Sequence, residues 1–334
     1  MGGGGIGGAR AFYVTAPGRG EIRPVDLPRP AAGDVLVRTL HTAISRGTEA
    51  LVFEGRVPPE QYDAMRAPHQ DGDLPGPVSY GYLSVGVVEE GPAELVGRCV
   101  FCLYPHQTSY VVPAGAVTPV PAGVPPRRAV LAGTVETAVN ALWDAAPLVG
   151  DRVTVVGGGM VGCCVARLLA GIPGAEVTLV DVDPRRAVVA RALGVGFARP
   201  EDAAGERDLV VHASATQAGL QLAVDLLGTE GTVVELSWYG TRPVDLRLGG
   251  AFHARRLRIL ASQVGAVAAA RRARRTTADR LALALELLRD PAYDVLLTGS
   301  SPFEELPTVM AALGDGSLPA LCHTIDYEGD RCSR

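Results

Sequence analysis

The chain has 334 residues and a mass of 34.7 kDa, with 47% hydrophobic and 20% charged residues, a formal net charge of −5 and a pI near 5.7. This composition excludes wholesale disorder, and an acidic protein is not a general binder of nucleic acid or anionic membranes, which select basic surfaces. No stretch approaches ~18 uncharged apolar residues, and the opening MGGGGIGGAR lacks a signal-peptide core, so a cytoplasmic protein without a transmembrane helix is expected.

The first ten residues are glycine-rich and read as a flexible extension. Over 11–126, short β-like runs are broken by proline and glycine. Examples are VLVRTL (35–40), VSYGYLSVGVVEE (78–90) and SYVVP (109–113), a spacing that predicts a small β-barrel or sandwich. Residues 127–142 read as a helix. From 151 the pattern alternates. RVTVVGGG, EVTLVDVD, DLVVHASA, GTVVELSWYG and RLRILASQVG read as strands. MVGCCVARLLAG, PRRAVVARALG, QAGLQLAVDLLG and TADRLALALELLRD read as helices. Buried strands separated by helices predict a parallel, doubly wound sheet, so the fold class is α/β. After 291, DVLLTGSSPF, a helix over 304–314 and ALCHTIDY close the chain. The expected domains are 11–126 with 291–334, and 127–290.

Gly157-x-Gly159-x-x-Gly162 follows a β-branched run and opens a helix. In a dinucleotide-binding turn the first glycine makes the turn. The second admits the pyrophosphate, and the third lets helix and strand pack closely. Helix N-termini offer free N–H groups to phosphates, which places Met160 and Val161 beside the cofactor as well. An acid at the end of the next strand, Asp181, stands where a carboxylate takes the adenosine ribose diol. That carboxylate would repel a 2′-phosphate, so NAD is favoured over NADP. Arg185 and Arg186 follow closely and weaken this preference, and Arg186 is included among the cofactor-binding candidates. The alternative for Asp181 is a cap on the following helix. His212, at the end of DLVV, either touches the cofactor or is a structural histidine.

All 31 basic residues are arginine, which removes Schiff-base and lysine-base chemistry. The six cysteines are few, and a reducing compartment leaves them as thiols. Cys99 and Cys102 read as a strand pair, and Cys163 and Cys164 as packing residues.

A β-rich first half, a late dinucleotide fold and a short returning tail resemble the medium-chain dehydrogenase/reductase family over about 11–327. The motifs carrying the likeness are PVDLPRPAAGDVLVRT, Gly81-x-x-x-x-Gly86-x-Val88 and VGDRVTVVGGGMVG. HTAISRGTEALVFEGRVP and ETAVNALWD are similar to a zinc-independent subgroup with a Ser-x-Gly-Thr-Glu motif. That subgroup includes a dehydrogenase of the hydroxyethyl side chain of bacteriochlorophyllides. The resemblance implies a GroES-like β-barrel catalytic domain, a Rossmann domain and a homodimer. The family's zinc ligands would fall at Ser45 or Arg46, at Tyr82 and at Gly133. None of these is a good zinc ligand, and the structural zinc lobe is missing, so no metal is expected.

Without zinc, a hydrogen-bonding side chain must handle the substrate oxygen. By the resemblance, Thr48 aligns with a proton-relay hydroxyl, Tyr82 with a ligand histidine and Glu49 with a carboxylate behind the metal. The relay histidine falls at Leu51, and His41 or His106 are its nearby substitutes. The catalytic candidates are therefore Thr48, Tyr82, Glu49 and Glu136, the last on a helix expected to face the nicotinamide, with Asn140 one turn later. Ser45, His41, Trp238 and Tyr239 are pocket candidates. Thr48 and Glu49 also suit a helix cap, Tyr82 a packed core position, and Trp238 with Tyr239 an aromatic plug between domains. His253 and its arginines suit an anionic-substrate contact or a surface, and 271–275 a solvated loop. The expected activity is zinc-independent, NAD-dependent interconversion of a secondary alcohol and a ketone. The alternatives are an NADPH-dependent reductase of an activated double bond and a non-catalytic nucleotide-binding protein.

Overall fold

The computed structural model describes residues 6–328 and divides the chain into two compact units, one ending at Gly133 and resuming at Leu297, the other Thr134–Leu296. Both boundaries lie several residues beyond those expected from sequence. A Cβ at Gly133 would stand 2.6 Å from Leu83 Cδ2, so the start of the helix Ala132–Ala145 packs on the first unit. At the other end Tyr293 and Leu296 are buried in the second unit. The helix expected over 127–142 is two pieces, Pro126–Ala129 and Ala132–Ala145. The expected flexible extension is corrected in part. Ile6–Ala16 is a strand whose antiparallel ladder with Arg19–Leu27 begins at Ile6↔Leu27, and paired backbone groups hold even a glycine-rich stretch. Residues 1–5 lie outside the described residues.

The first unit carries two sheets. Arg19–Leu27, Ile6–Ala16, Val78–Ser79 and Asp71–Gly72 form the smaller. The larger pivots on the strand Asp34–Ala43. Its first half pairs with Ser109–Pro113, most of its length with Ser84–Glu90, and its end with the returning strand Cys322–Asp326. Val35, Val37, Val88, Val100, Tyr110 and Val112 form a core beside it. The pivot strand runs on through Ile44 into the helix Arg46–Phe53. Ala43 donates to the Leu83 carbonyl at 3.0 Å, which sets Tyr82 beside Ser45.

The second unit is a six-stranded, all-parallel sheet. Its order is Gly196–Ala198, Glu176–Val180, Arg152–Val156, Arg207–His212, Leu227–Glu235, Arg258–Ala261. Val155, Leu179, Val210, Val211, Val233 and Val234 are fully buried, as strands covered on both faces require. The strand order reverses between Arg152–Val156 and Arg207–His212, and ligands of such sheets bind at that crevice, outside the carboxyl ends. Among the described residues no helix is long and apolar enough to cross a membrane.

Candidate functional site

In the first unit a buried polar chain gathers around the start of the helix Arg46–Phe53. Ser45 is its N-cap residue, yet the serine hydroxyl makes no capping bond. The side chain of Glu49, 3% exposed, reaches back to the N-cap backbone instead. Its Oε1 accepts the Ser45 N–H at 2.8 Å, and its Oε2 meets His106 Nε2 at 2.8 Å. His106 Nδ1 lies 2.7 Å from Thr42 Oγ1, which lies 3.2 Å from the Tyr327 hydroxyl. Tyr82 donates to Ser45 Oγ at 2.7 Å. Burial, and then the Glu49 carboxylate, push the Tyr82 phenol up to about 12, while hydrogen bonds from Ser45 and Thr48 pull it back. Gly81, at φ +141°, makes this approach possible, since a Cβ there would lie 3.1 Å from the His106 ring.

The structure thus joins Ser45, Thr48, Glu49 and Tyr82, and adds Thr42 and Tyr327, which sequence reasoning missed. Neither carries a motif, and Thr42 alternates on a strand like any core threonine. His41 is drawn elsewhere. It is partly exposed and bonds Asp326 at 2.9 Å.

In the second unit Gly157 has φ +110°, and a Cβ there would stand 2.7 Å from the Ser214 nitrogen. A Cβ on Gly162 would lie 1.9 Å from the Gly157 oxygen. At Gly159, the N-cap of the helix Met160–Leu169, a Cβ would meet open space, and no side chain caps this end. Met160 is buried and Val161 half-buried, so both pack at the first turn. Asp181 accepts the Gly158 N–H at 2.6 Å and the Asp183 N–H at 2.8 Å. The stem of Arg186 lies against Gly158, and its guanidinium is 3.8 Å from Asp183. Arg185 bonds Asp183 at 2.8 Å and holds that carboxyl at about 2. Asp183 therefore compensates both arginines.

His212 is fully buried. Its Nδ1 meets Glu235 Oε2 at 2.7 Å and its Nε2 meets Ser214 Oγ at 2.6 Å. Tyr239 donates to Glu235 at 3.0 Å, and Ser237 N–H at 2.6 Å. Burial raises Glu235, but His212 and Ser237 outweigh it and hold the carboxyl below its ordinary range. His212 and Tyr239 thus brace the carboxyl ends of two adjacent strands, while Trp238 is half-buried beside them. Cys163 and Cys164 are buried packing residues, His253 is exposed, and 271–275 is exposed throughout.

Glu136 was expected at the reacting centre. Its carboxylate is instead buried against Arg280, whose Nε donates to it at 3.0 Å. Burial raises its pKa and Arg280 pulls it back. Arg280 also donates to Asn140 at 2.5 Å and to the carbonyls of Val264 and Ala266. Asn140 in turn accepts the Ala268 N–H at 3.0 Å. Asn140 and the Glu136-bound Arg280 therefore anchor residues 263–268.

No family model matches the sequence. Solved structures match its fold. The alcohol dehydrogenase of Thermus sp. ATN1 is 21% identical, with a TM-score of 0.72 over 96% of this chain and 100% of that one. A short chain alcohol dehydrogenase from Escherichia coli CFT073, complexed with NADH, is 17% identical, with a TM-score of 0.76 over 96% and 99%. A protein assigned as a zinc-binding dehydrogenase from Sinorhizobium meliloti 1021, bound to NADP, is 17% identical, with a TM-score of 0.77 over 96% and 100%. The chain has the two-domain α/β fold of these dehydrogenases. At such identities the likeness is one of architecture, and the chemistry has to be argued from the residues above.

The Glu136–Arg280 pair gives a direct test of the anchoring role. Arg280→Met leaves a buried carboxylate uncompensated and should cost about 3–5 kcal/mol in urea unfolding. The double variant Glu136→Met/Arg280→Met should lose clearly less than the sum of the singles. Strict additivity would show that the two side chains are not coupled.

Proposed function

We propose that this chain is a zinc-independent member of the medium-chain dehydrogenase/reductase family that uses NAD to interconvert a secondary alcohol and a ketone. The carrying observation is the Tyr82–Ser45 hydroxyl pair, 2.7 Å apart, at positions that the sequence resemblance assigns to zinc ligands. The residues there do not fit zinc. Ser45 or Arg46, Tyr82 and Gly133 supply no thiolate or imidazole, and a catalytic zinc takes three protein ligands. The nearest imidazole, His106, spends both nitrogens on Glu49 and Thr42. Among the described residues no group of three or more His, Cys, Asp or Glu stands ready for a metal.

NAD fits the second unit on its own evidence: the open Cβ space at Gly159, the uncapped helix start and the Asp181 carboxylate. When bound, this cofactor accepts or gives the hydride. The uncapped N–H groups hold phosphate, and Asp181 keeps acceptor capacity for a ribose diol. Tyr82 holds the proton. As a ketone is reduced, the phenol gives its proton to the new alcohol oxygen, and Ser45 and Thr48 donate hydrogen bonds to the phenolate left behind. In the oxidising direction the phenolate takes that proton back. The Ser-x-Gly-Thr-Glu segment supports a hydroxyethyl-type secondary alcohol as the substrate class. The strand Arg258–Ala261 supports a homodimer, because it lies at the edge of its sheet with Ile259 and Leu260 exposed, and exposed edges pair.

Four outcomes are expected. Purified protein should carry no stoichiometric zinc by elemental analysis, and Tyr82→Phe should slow single-turnover hydride transfer ~10²–10³-fold, the loss expected for a preorganised donor, with NAD affinity unchanged. Wild-type rates in Tyr82→Phe, or chelator-sensitive turnover with one zinc per chain, would refute the assignment. Fluorescence titration should show NAD binding more tightly than NADP, with the gap narrowed in Asp181→Ala. A wild-type preference for NADP would favour the double-bond reductase instead. Light scattering at micromolar concentration should give the mass of two chains, and a monomer would count against the edge-strand pairing.

A further inference from the structure

The Glu49–His106 pair takes no part in the proton transfer described so far. Its burial needs a reason, because the two side chains are 3% and 1% exposed and come from segments 57 residues apart. A buried carboxylate survives only with hydrogen-bonding and charge compensation. Glu49 has the Ser45 N–H on one oxygen and the His106 ring on the other. His106 is fixed in turn by Thr42, and its carbonyl accepts the Phe12 N–H at 2.9 Å.

An N-cap serine ordinarily spends its hydroxyl on the N–H groups of the first turn. Here the hydroxyl makes no capping bond and instead accepts the Tyr82 phenol. Glu49 reaches back to the Ser45 N–H, so the backbone that carries this hydroxyl is held in place.

We infer that His106 is a positioning residue for proton transfer at Tyr82: with Glu49 it fixes the Ser45 backbone, and so the hydroxyl that meets Tyr82, and compensates the carboxylate charge facing the phenol. This inference rests on the reading of Tyr82 as the proton-holding group. The groups that feel the Glu49 charge are Tyr80, Tyr82, Cys322 and Tyr327, all neutral acids. Arg127 acts on Cys322 and His323 instead. His106 is the cation-capable partner bonded to Glu49.

The hydrogen bonds let His106 carry a proton without rearrangement. Glu49 accepts only, so His106 Nε2 bears a hydrogen. When the ring is neutral, Nδ1 accepts from the Thr42 hydroxyl. When it is an imidazolium, Nδ1 donates to the same oxygen. Thr42 Oγ1 tolerates both, because the Tyr327 hydroxyl at 3.2 Å can give or take a hydrogen bond. The imidazolium state makes the pair neutral overall and removes a net negative charge from beside Tyr82.

Two measurements test this. In protein labelled with ¹⁵N-histidine, the ring nitrogens of His106 should report an imidazolium at neutral pH in the wild type and a neutral ring in Glu49→Gln. A ring that is neutral at neutral pH in the wild type overturns the inference, and this readout needs no substrate and no variant at His106. His106→Gln keeps a hydrogen bond to Glu49 but no charge. It should shift the rising limb of the alcohol-oxidation profile upward by about one pH unit and lower kcat about tenfold at neutral pH, with NAD affinity unchanged. A purely structural role would lower kcat equally at all pH values and leave the limb in place, which refutes the inference. Tyr82→Phe separates the two failures. If Tyr82→Phe is fully active, the parent reading fails. If it is inactive while His106→Gln keeps the wild-type limb, only the role of His106 fails.

Discussion

A buried carboxylate must be compensated, and two such groups, Glu49 and Glu136, with the half-buried Glu235, organise much of this molecule. Glu49 meets His106, Glu136 meets Arg280, and Glu235 meets His212. The partners lie 57, 144 and 23 positions apart, and each pair holds a segment that regular structure leaves loose. Glu49 holds the amide of Ser45. Arg280 holds the carbonyls of Val264 and Ala266. His212 holds the turn that begins at Ser214. Breaking such a pair leaves an unpaired buried charge, which is far more costly than exchanging both partners for apolar residues. These segments are therefore held by side-chain pairs in which Glu49, Glu136 and Arg280 stand on helices and His212 and Glu235 at adjacent strand ends.

Backbone shape does the complementary work. The fingerprint glycines are required by contact as much as by conformation. Gly157 stands against Ser214, and Gly162 against Gly157 itself. Where these two glycines create close packing, Gly159 leaves space, and the adjacent helix start presents its free N–H groups to it. Asp181 is held by two backbone N–H groups, so its orientation does not depend on a flexible partner. The nearby arginines are both taken up by Asp183, which leaves Asp181 to set the sign of charge at that edge.

The hydroxyl cluster of the first unit and a zinc ion would treat a substrate oxygen differently. A metal withdraws electrons and lowers the proton affinity of what it binds. A phenol held up at about 12 keeps its proton and is suited to giving it to an oxygen that has just accepted a hydride. Ser45 and Thr48 moderate that tendency by favouring the phenolate, and Glu49 opposes them.

Much of this was legible in the sequence. The alternation of β-branched runs and helices determined the parallel sheet, because strands buried on both faces need continuous apolar text. Gly157, Gly159, Gly162 and Asp181 declared themselves by spacing alone, since the turn they form is local. Thr48, Glu49 and Tyr82 were marked as catalytic candidates through the family resemblance, and Ser45 as a pocket candidate. Pairing partners were not legible. Glu136 looked like a reacting carboxylate because it stands in a largely apolar helix expected to face the nicotinamide. Arg280 compensates it from 144 positions away. His41 and His106 were equivalent as text, and the pivot strand and its neighbours sent one to Asp326 and the other to Glu49. Periodicity reports which face of an element is buried. Which buried charge meets which partner is fixed only when distant strands are brought into register.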